Sequence, residues 1–114
     1  MAEVEGSTTG AAAGVAELVP TLDGVRRHRE ALIAAAARYG AWNVRVFGSV
    51  ARGEADASSD VDFLVDMPDD YSLFDLGGVY TAFEDLVGRP LHVVVTADLP
   101  AAWREQALRE AVPL

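Results

Sequence analysis

The sequence predicts a small α/β (α+β) domain: a three-stranded mixed sheet with helices packed mainly on one face. Three observations lead there. The chain has 114 residues, 51% of them hydrophobic, which suits one globular core but not two. Short β-branched segments recur at Trp42–Phe47, Asp60–Asp66 and Leu91–Val95, each long enough for a strand. Stretches with helical apolar spacing lie around and between them, and no internal repeat interrupts the pattern.

The elements follow in chain order. Residues 1–20 are rich in Ala, Gly, Thr and Glu without a sustained period, and read as a flexible N-terminal tail before a domain over 21–114. Pro20-Thr21 sets up a first helix with Thr21 as N-cap. Val25, Leu32, Ala36 and Tyr39 share one face of it, and Gly40 stops it. His28 falls among arginines on its surface. The first strand, Trp42–Phe47, puts Val44 and Val46 on one side. Gly48-Ser49 then makes a turn into a short helix over Val50–Glu54.

Val61, Phe63 and Val65 give the second strand one buried face and leave Asp60, Asp62, Leu64 and Asp66 on the other. Asp66, pleats away from the first two, reads as a solvated cap for the loop over Met67–Tyr71. Ser72 with Asp75 forms a capping-box-like helix start. Leu76, Tyr80, Phe83 and Val87 make the stripe of that helix, and Gly88 ends it. After the strand Leu91–Val95, Asp98-Leu99-Pro100 opens a last helix with Trp103, Ala107 and Ala111 on one side. Glu105 and Arg109 form a surface i,i+4 pair on it. Trp42 and Trp103 read as core or interface aromatics rather than base-stacking platforms.

Composition excludes several classes of function. The formal net charge of −9 argues against direct nucleic-acid binding, which calls for a basic face. All nine basic residues are Arg, so no lysine nucleophile and no P-loop lysine is available. The absence of Cys removes disulfides and thiolate metal sites and agrees with a cytoplasmic location. Ala11–Val19 is broken by Gly14 and Glu17 and lacks a basic flank, so neither a signal peptide nor a membrane span is expected. The acidic surface serves solubility or a partner with a basic surface, two readings that charge alone leaves open.

The most telling spacing joins Gly48-Ser49 to Asp60-Val61-Asp62. Small residues behind an apolar strand open a helix whose free N–H groups can hold phosphate. Two carboxylates two residues apart on a strand point the same way, and their oxygens suit a hard cation such as Mg²⁺. That pairing is what nucleotide chemistry requires.

The stretch resembles the nucleotidyltransferase superfamily that includes DNA polymerase beta, whose signature is Gly-Ser, a spacer, then Asp-x-Asp. Within it the chain is similar to the minimal nucleotidyltransferases (MNT), small proteins often paired as antitoxins with HEPN-domain toxins. Ser72-Leu73-Phe74-Asp75-Leu76, Leu86-Val87-Gly88-Arg89-Pro90 and Arg109-Glu110-Ala111-Val112-Pro113-Leu114 extend the likeness over roughly residues 22–114. The resemblance implies a polymerase-beta-like nucleotidyltransferase domain that uses Mg²⁺ and ATP or another NTP. Asp60 and Asp62 would hold metal, and Gly48 and Ser49 the phosphates. Arg52 would reach a phosphate or serve as a surface ion-pair residue.

One position departs from the pattern. The family phrase carries a third carboxylate where this chain has His92, in Pro90-Leu91-His92-Val93-Val94-Val95. Neutral imidazole can act as a general base near pH 7 but is a poor partner for Mg²⁺. Asp60, Asp62 and His92 are therefore the expected catalytic set. The implied activity is AMP transfer from ATP to a hydroxyl side chain of a HEPN-type toxin, in a possible hetero-oligomer. The alternative is a degenerate antitoxin that neutralises its partner by binding; transfer to a small molecule such as an aminoglycoside fits less well at this size.

Overall fold

A computed structural model describes residues 19–114; of the tail expected over residues 1–20, residues 1–18 lie outside the described residues. The chain order is α1 (Leu22–Arg26), α2 (Arg29–Arg38), β1 (Trp42–Phe47), α3 (Gly48–Arg52), β2 (Val61–Asp66), α4 (Leu73–Val87), β3 (Leu91–Val95), a 3₁₀ turn (Thr96–Asp98), α5 (Ala101–Glu110) and β4 (Val112–Pro113). The strands form one mixed sheet in the order β3-β2-β1-β4. β1 is antiparallel to β2 and β4, and β2 is parallel to β3.

The sheet has four strands where three were expected. β4 is two residues long and contains Pro113, so it carries no alternation to read, and proline is tolerated there because the strand lies at the edge. The expected first helix is divided. His28 N bonds Val25 O, an i→i−3 contact that tightens the turn. Beside that turn, Arg26 and Arg29 donate to the carbonyls of Pro113 and Leu114. α3 starts at Gly48 rather than Val50 and closes on Gly53 in the left-handed region.

One face of the sheet makes the main core. Val46, Val61, Phe63 and Val65 are fully buried there with Leu32 and Ala36 of α2 and Val79 and Phe83 of α4. Phe63 and Phe83 meet edge-on with ring centroids 4.8 Å apart, a favoured aromatic geometry. Val79, not Tyr80, completes the buried stripe of α4; Tyr80 is exposed. α2 and α4 approach closely at Gly78, where a Cβ would lie 2.3 Å from the Tyr39 ring. The capping box of α4 forms as expected, with Ser72 Oγ accepting from Asp75 N and Asp75 Oδ2 accepting from Ser72 N. Neither tryptophan joins the core: Trp42 and Trp103 are 53% and 69% exposed.

The opposite face is polar at one end and apolar in the middle, where Leu64 is fully buried. Its polar network centres on Arg45, itself buried. The guanidinium donates to Asn43 O, to Asp66 Oδ1 at 2.7 Å and to Thr96 Oγ1. Asn43 takes a positive φ of 56° within the irregularity of the β1–β2 ladder, a conformation Asn tolerates. Its side-chain amide donates to Asp66 Oδ2. Asp66 is thus a structural counter-ion and not the solvated loop cap expected from sequence.

Burial pushes the Asp66 carboxyl up, but hydrogen bonding from Asn43 and Thr96 and the charge of Arg45 outweigh it, leaving the group below its ordinary 3.8. Asp66→Asn is therefore expected to cost about 2–4 kcal/mol near neutral pH, because it strands a buried guanidinium. A carboxyl lowered in the folded state stabilises above its unfolded value and loses that contribution as pH falls through the folded value. The gap between wild type and Asp66→Asn in urea unfolding should accordingly narrow below about pH 4. A gap of equal size at pH 7 and pH 3 would contradict this account.

Candidate active site

Three strand ends converge on that same face, at the end away from the Arg45–Asp66 network. Asp60 stands one residue before β2 and Asp62 is its second residue; both are half-buried. Phe47, the last residue of β1, lies opposite Asp62 in the antiparallel ladder. His92 of β3 lies opposite Asp62 on the other side, in the parallel ladder. Register alone therefore sets Phe47, Asp62 and His92 in a row across the sheet, with Gly48 one residue beyond.

Gly48 fits where no other residue does. Its φ is +74°, and a Cβ built there would fall 2.5 Å from Asp62 Oδ2. The backbone that opens α3 is therefore pressed against the carboxylate, with Ser49 next to it and half-buried. This close approach places the Gly-Ser turn and the Asp-x-Asp strand at one point.

His92 is brought to both carboxylates. Its Nδ1 is 2.8 Å from Asp62 Oδ1 and its Nε2 is 3.6 Å from Asp60 Oδ2. An ionised carboxylate only accepts, so the short contact assigns a hydrogen to Nδ1 and leaves Nε2 on the side of Asp60. The ring is 62% exposed and lies at the open side of the site. Asp98 does not stand in for the missing carboxylate: it accepts a hydrogen bond from the Tyr71 hydroxyl, which raises the Tyr71 pKa.

Arg52 is held within the protein. Its Nε bonds Glu54 Oε1 at 2.9 Å and its Nη1 bonds Glu110 Oε1 at 3.1 Å. The hydrogen bond to Glu54, with the charge of Glu110, pushes the guanidinium pKa above its ordinary value. Of the two readings open at the sequence level, this structure displays the ion pair. Glu110 comes from α5, 58 residues away, and no local signal could have announced it.

Among the described residues no group of three or more His, Cys, Asp or Glu side chains is placed to hold a metal ion. Two neighbouring carboxylates remain, and these match Mg²⁺, which is commonly bound through one or two carboxylates with substrate phosphates completing the shell. Asp60 and Asp62 fit such a shared site; the imidazole of His92, already bonded to Asp62, does not extend it.

Sequence reasoning missed one feature of this region. Phe47, Leu99, Trp103 and Ala107 line an open cleft that starts at the ladder partner of Asp62. The pattern of Trp103, Ala107 and Ala111 suggested an apolar stripe, but not that Trp103 would stand outside it.

Comparison with known proteins bears on this arrangement. Residues 28–113 match the family described as nucleotidyltransferase domain. A protein adenylyltransferase, MntA, of Thermococcus cleftensis is 37% identical over 75 residues, 66% of this chain and 76% of that protein. A protein of Methanocaldococcus jannaschii named as an adenylyltransferase is 31% identical over 75 residues, 66% of this chain and 81% of its own length. A solved structure described as a minimal nucleotidyltransferase superposes with a TM-score of 0.75 at 46% identity, covering 82% of this chain and 96% of that one. Among the described residues, no helix is long and apolar enough to cross a membrane.

Proposed function

Because the chain belongs to the nucleotidyltransferase domain family, we propose that it transfers AMP from ATP to a hydroxyl side chain of a HEPN-type toxin, as the antitoxin of that pair. The observation that supports this most directly is the contact at Gly48, whose missing Cβ would lie 2.5 Å from Asp62 Oδ2. That contact sets the Gly48-Ser49 turn against the Asp62 carboxylate, the pairing that a phosphate beside a metal calls for. The named adenylyltransferase relatives support the reaction type, and the net charge of −9 supports a partner with a basic surface.

In the reaction the acceptor oxygen attacks the α-phosphorus of ATP, a new P–O bond forms, and the bond to the β-phosphate breaks to release pyrophosphate. Gly48 and Ser49 hold the β- and γ-phosphates through backbone N–H groups. His92 accepts the hydroxyl proton at Nε2, while Asp62 fixes the ring through Nδ1. Asp60 and Asp62 would hold Mg²⁺, which offsets charge developing at the α-phosphate. The reaction belongs to the cytoplasm, where ATP and the partner meet.

A second reading is favoured by one observation: His92 supplies no third negative charge to the pair at Asp60 and Asp62. The chain would then neutralise its partner by covering it. Intact-mass measurement of a HEPN-type toxin after incubation with this chain, ATP and Mg²⁺ separates the two. Transfer predicts a mass gain of one or more AMP groups that disappears with Asp60→Asn/Asp62→Asn. An unmodified toxin in a stable complex would reject transfer in favour of occlusion.

A further inference from the structure

The cleft that starts at Phe47 has a volume of about 200 Å³ and is open to solvent. Its floor is apolar, from Phe47, Leu99 and Ala107, and Trp103 lines it while 69% exposed. Gln106 and Glu110 supply a polar edge. Gln106 Nε2 bonds Glu110 Oε2 at 3.4 Å, and Glu110 Oε1 accepts from Arg52 at 3.1 Å. Phe47 pairs with Asp62 across the ladder and is joined directly to Gly48. The cleft thus begins at the ladder partner of Asp62 and one residue from the phosphate-side glycine.

We infer that this cleft is the nucleobase subsite, with the base stacked on the Trp103 indole and its edge turned to Gln106 and Glu110. A nucleotide is an anion at one end and a flat ring with a hydrogen-bonding edge at the other, and the cleft offers the complement of the ring end. Its volume of about 200 Å³ has room for a single ring system. The Glu110 carboxylate accepts from exocyclic amino groups and so favours adenine, guanine or cytosine over uracil. The assignment rests on the proposed function, which places the phosphates beside Asp62.

The test uses the full chain with Trp42→Phe, which leaves Trp103 as its sole tryptophan. Fluorescence and calorimetric titrations with ATP, UTP and inorganic tripolyphosphate are compared in Mg²⁺ buffer. ATP should quench Trp103 and bind about tenfold or more tighter than tripolyphosphate, with UTP weaker than ATP. Trp103→Ala should remove that advantage and Trp103→Phe should keep most of it. Equal binding of ATP and tripolyphosphate, or an advantage unchanged in Trp103→Ala, overturns the base subsite while the phosphate site stands. Quenching by ATP that tripolyphosphate cannot compete for and Asp60→Asn/Asp62→Asn leaves unaltered keeps the base subsite and rejects the phosphate placement. Absence of all binding overturns both.

Discussion

Asp62→Asn is expected to lower nucleotidyl transfer by about three orders of magnitude or more while leaving the fold in place. Removing one preorganised charge at a site of phosphoryl chemistry costs roughly 10²–10³ in rate, and loss of a metal-holding carboxylate adds to that. Each tenfold step is about 1.4 kcal/mol of barrier. Asp62 is the residue on which everything else in the site bears: Gly48 at its back, His92 Nδ1 at 2.8 Å, and Phe47 across the ladder. Asn matches its shape, and the side chain is only half-buried, so the core beneath stays intact. The amide oxygen of Asn can still accept from His92 Nδ1, so the lost charge and not a lost acceptor carries the effect. The measurement is the initial rate of transfer together with the melting temperature. A rate within tenfold of wild type at unchanged stability would remove Asp62 from the mechanism.

Why the sequence disclosed this site but not its surroundings comes down to the range of the interactions. Gly48, Ser49, Asp60 and Asp62 are legible because a turn residue behind a strand and an alternating carboxylate pair are local patterns, set by dihedral preference and pleat. The strands Trp42–Phe47 and Leu91–Val95 and the Ser72 capping box are legible for the same reason and occur as expected. His92 could be placed only by resemblance; its bond to Asp62 depends on the parallel register of β2 and β3, which no local pattern encodes. The pairing of Asp66 with Arg45 is likewise non-local. Its alternation with Asp60 and Asp62 put it on the correct face, but the charged partner arrives from another strand.

Trp103 shows a different failure. Apolar spacing with Ala107 and Ala111 implied a buried stripe, yet only Ala107 of that set is fully buried. A small side chain at the contact point lets α5 lie close to the sheet, and the large neighbour one turn earlier has no room underneath. Size decides between two residues that a hydrophobic pattern treats alike. The outward indole is left on the cleft that Phe47 also lines, where an aromatic surface has a use other than packing.

Gly48→Ala is expected to reduce transfer by about a hundredfold or more, and a second glycine can separate the two reasons. The first reason is backbone strain: a φ of +74° costs a residue with a Cβ roughly 1–2 kcal/mol, or about 4–8 °C in melting temperature per kcal/mol for a domain of this size. The second is contact. The new methyl would sit 2.5 Å from Asp62 Oδ2, so the carboxylate must move, and a displacement of about 1 Å at a reacting centre can cost 10²-fold. Gly53 has the same φ of +74° with nothing within 4 Å of its virtual Cβ. Gly53→Ala therefore carries the strain without the contact. The two variants should lose similar stability, and only Gly48→Ala should lose activity. Comparable activity in both would mean that the turn at Gly48 serves the chain's path alone, and that its closeness to Asp62 has no part in holding the substrate.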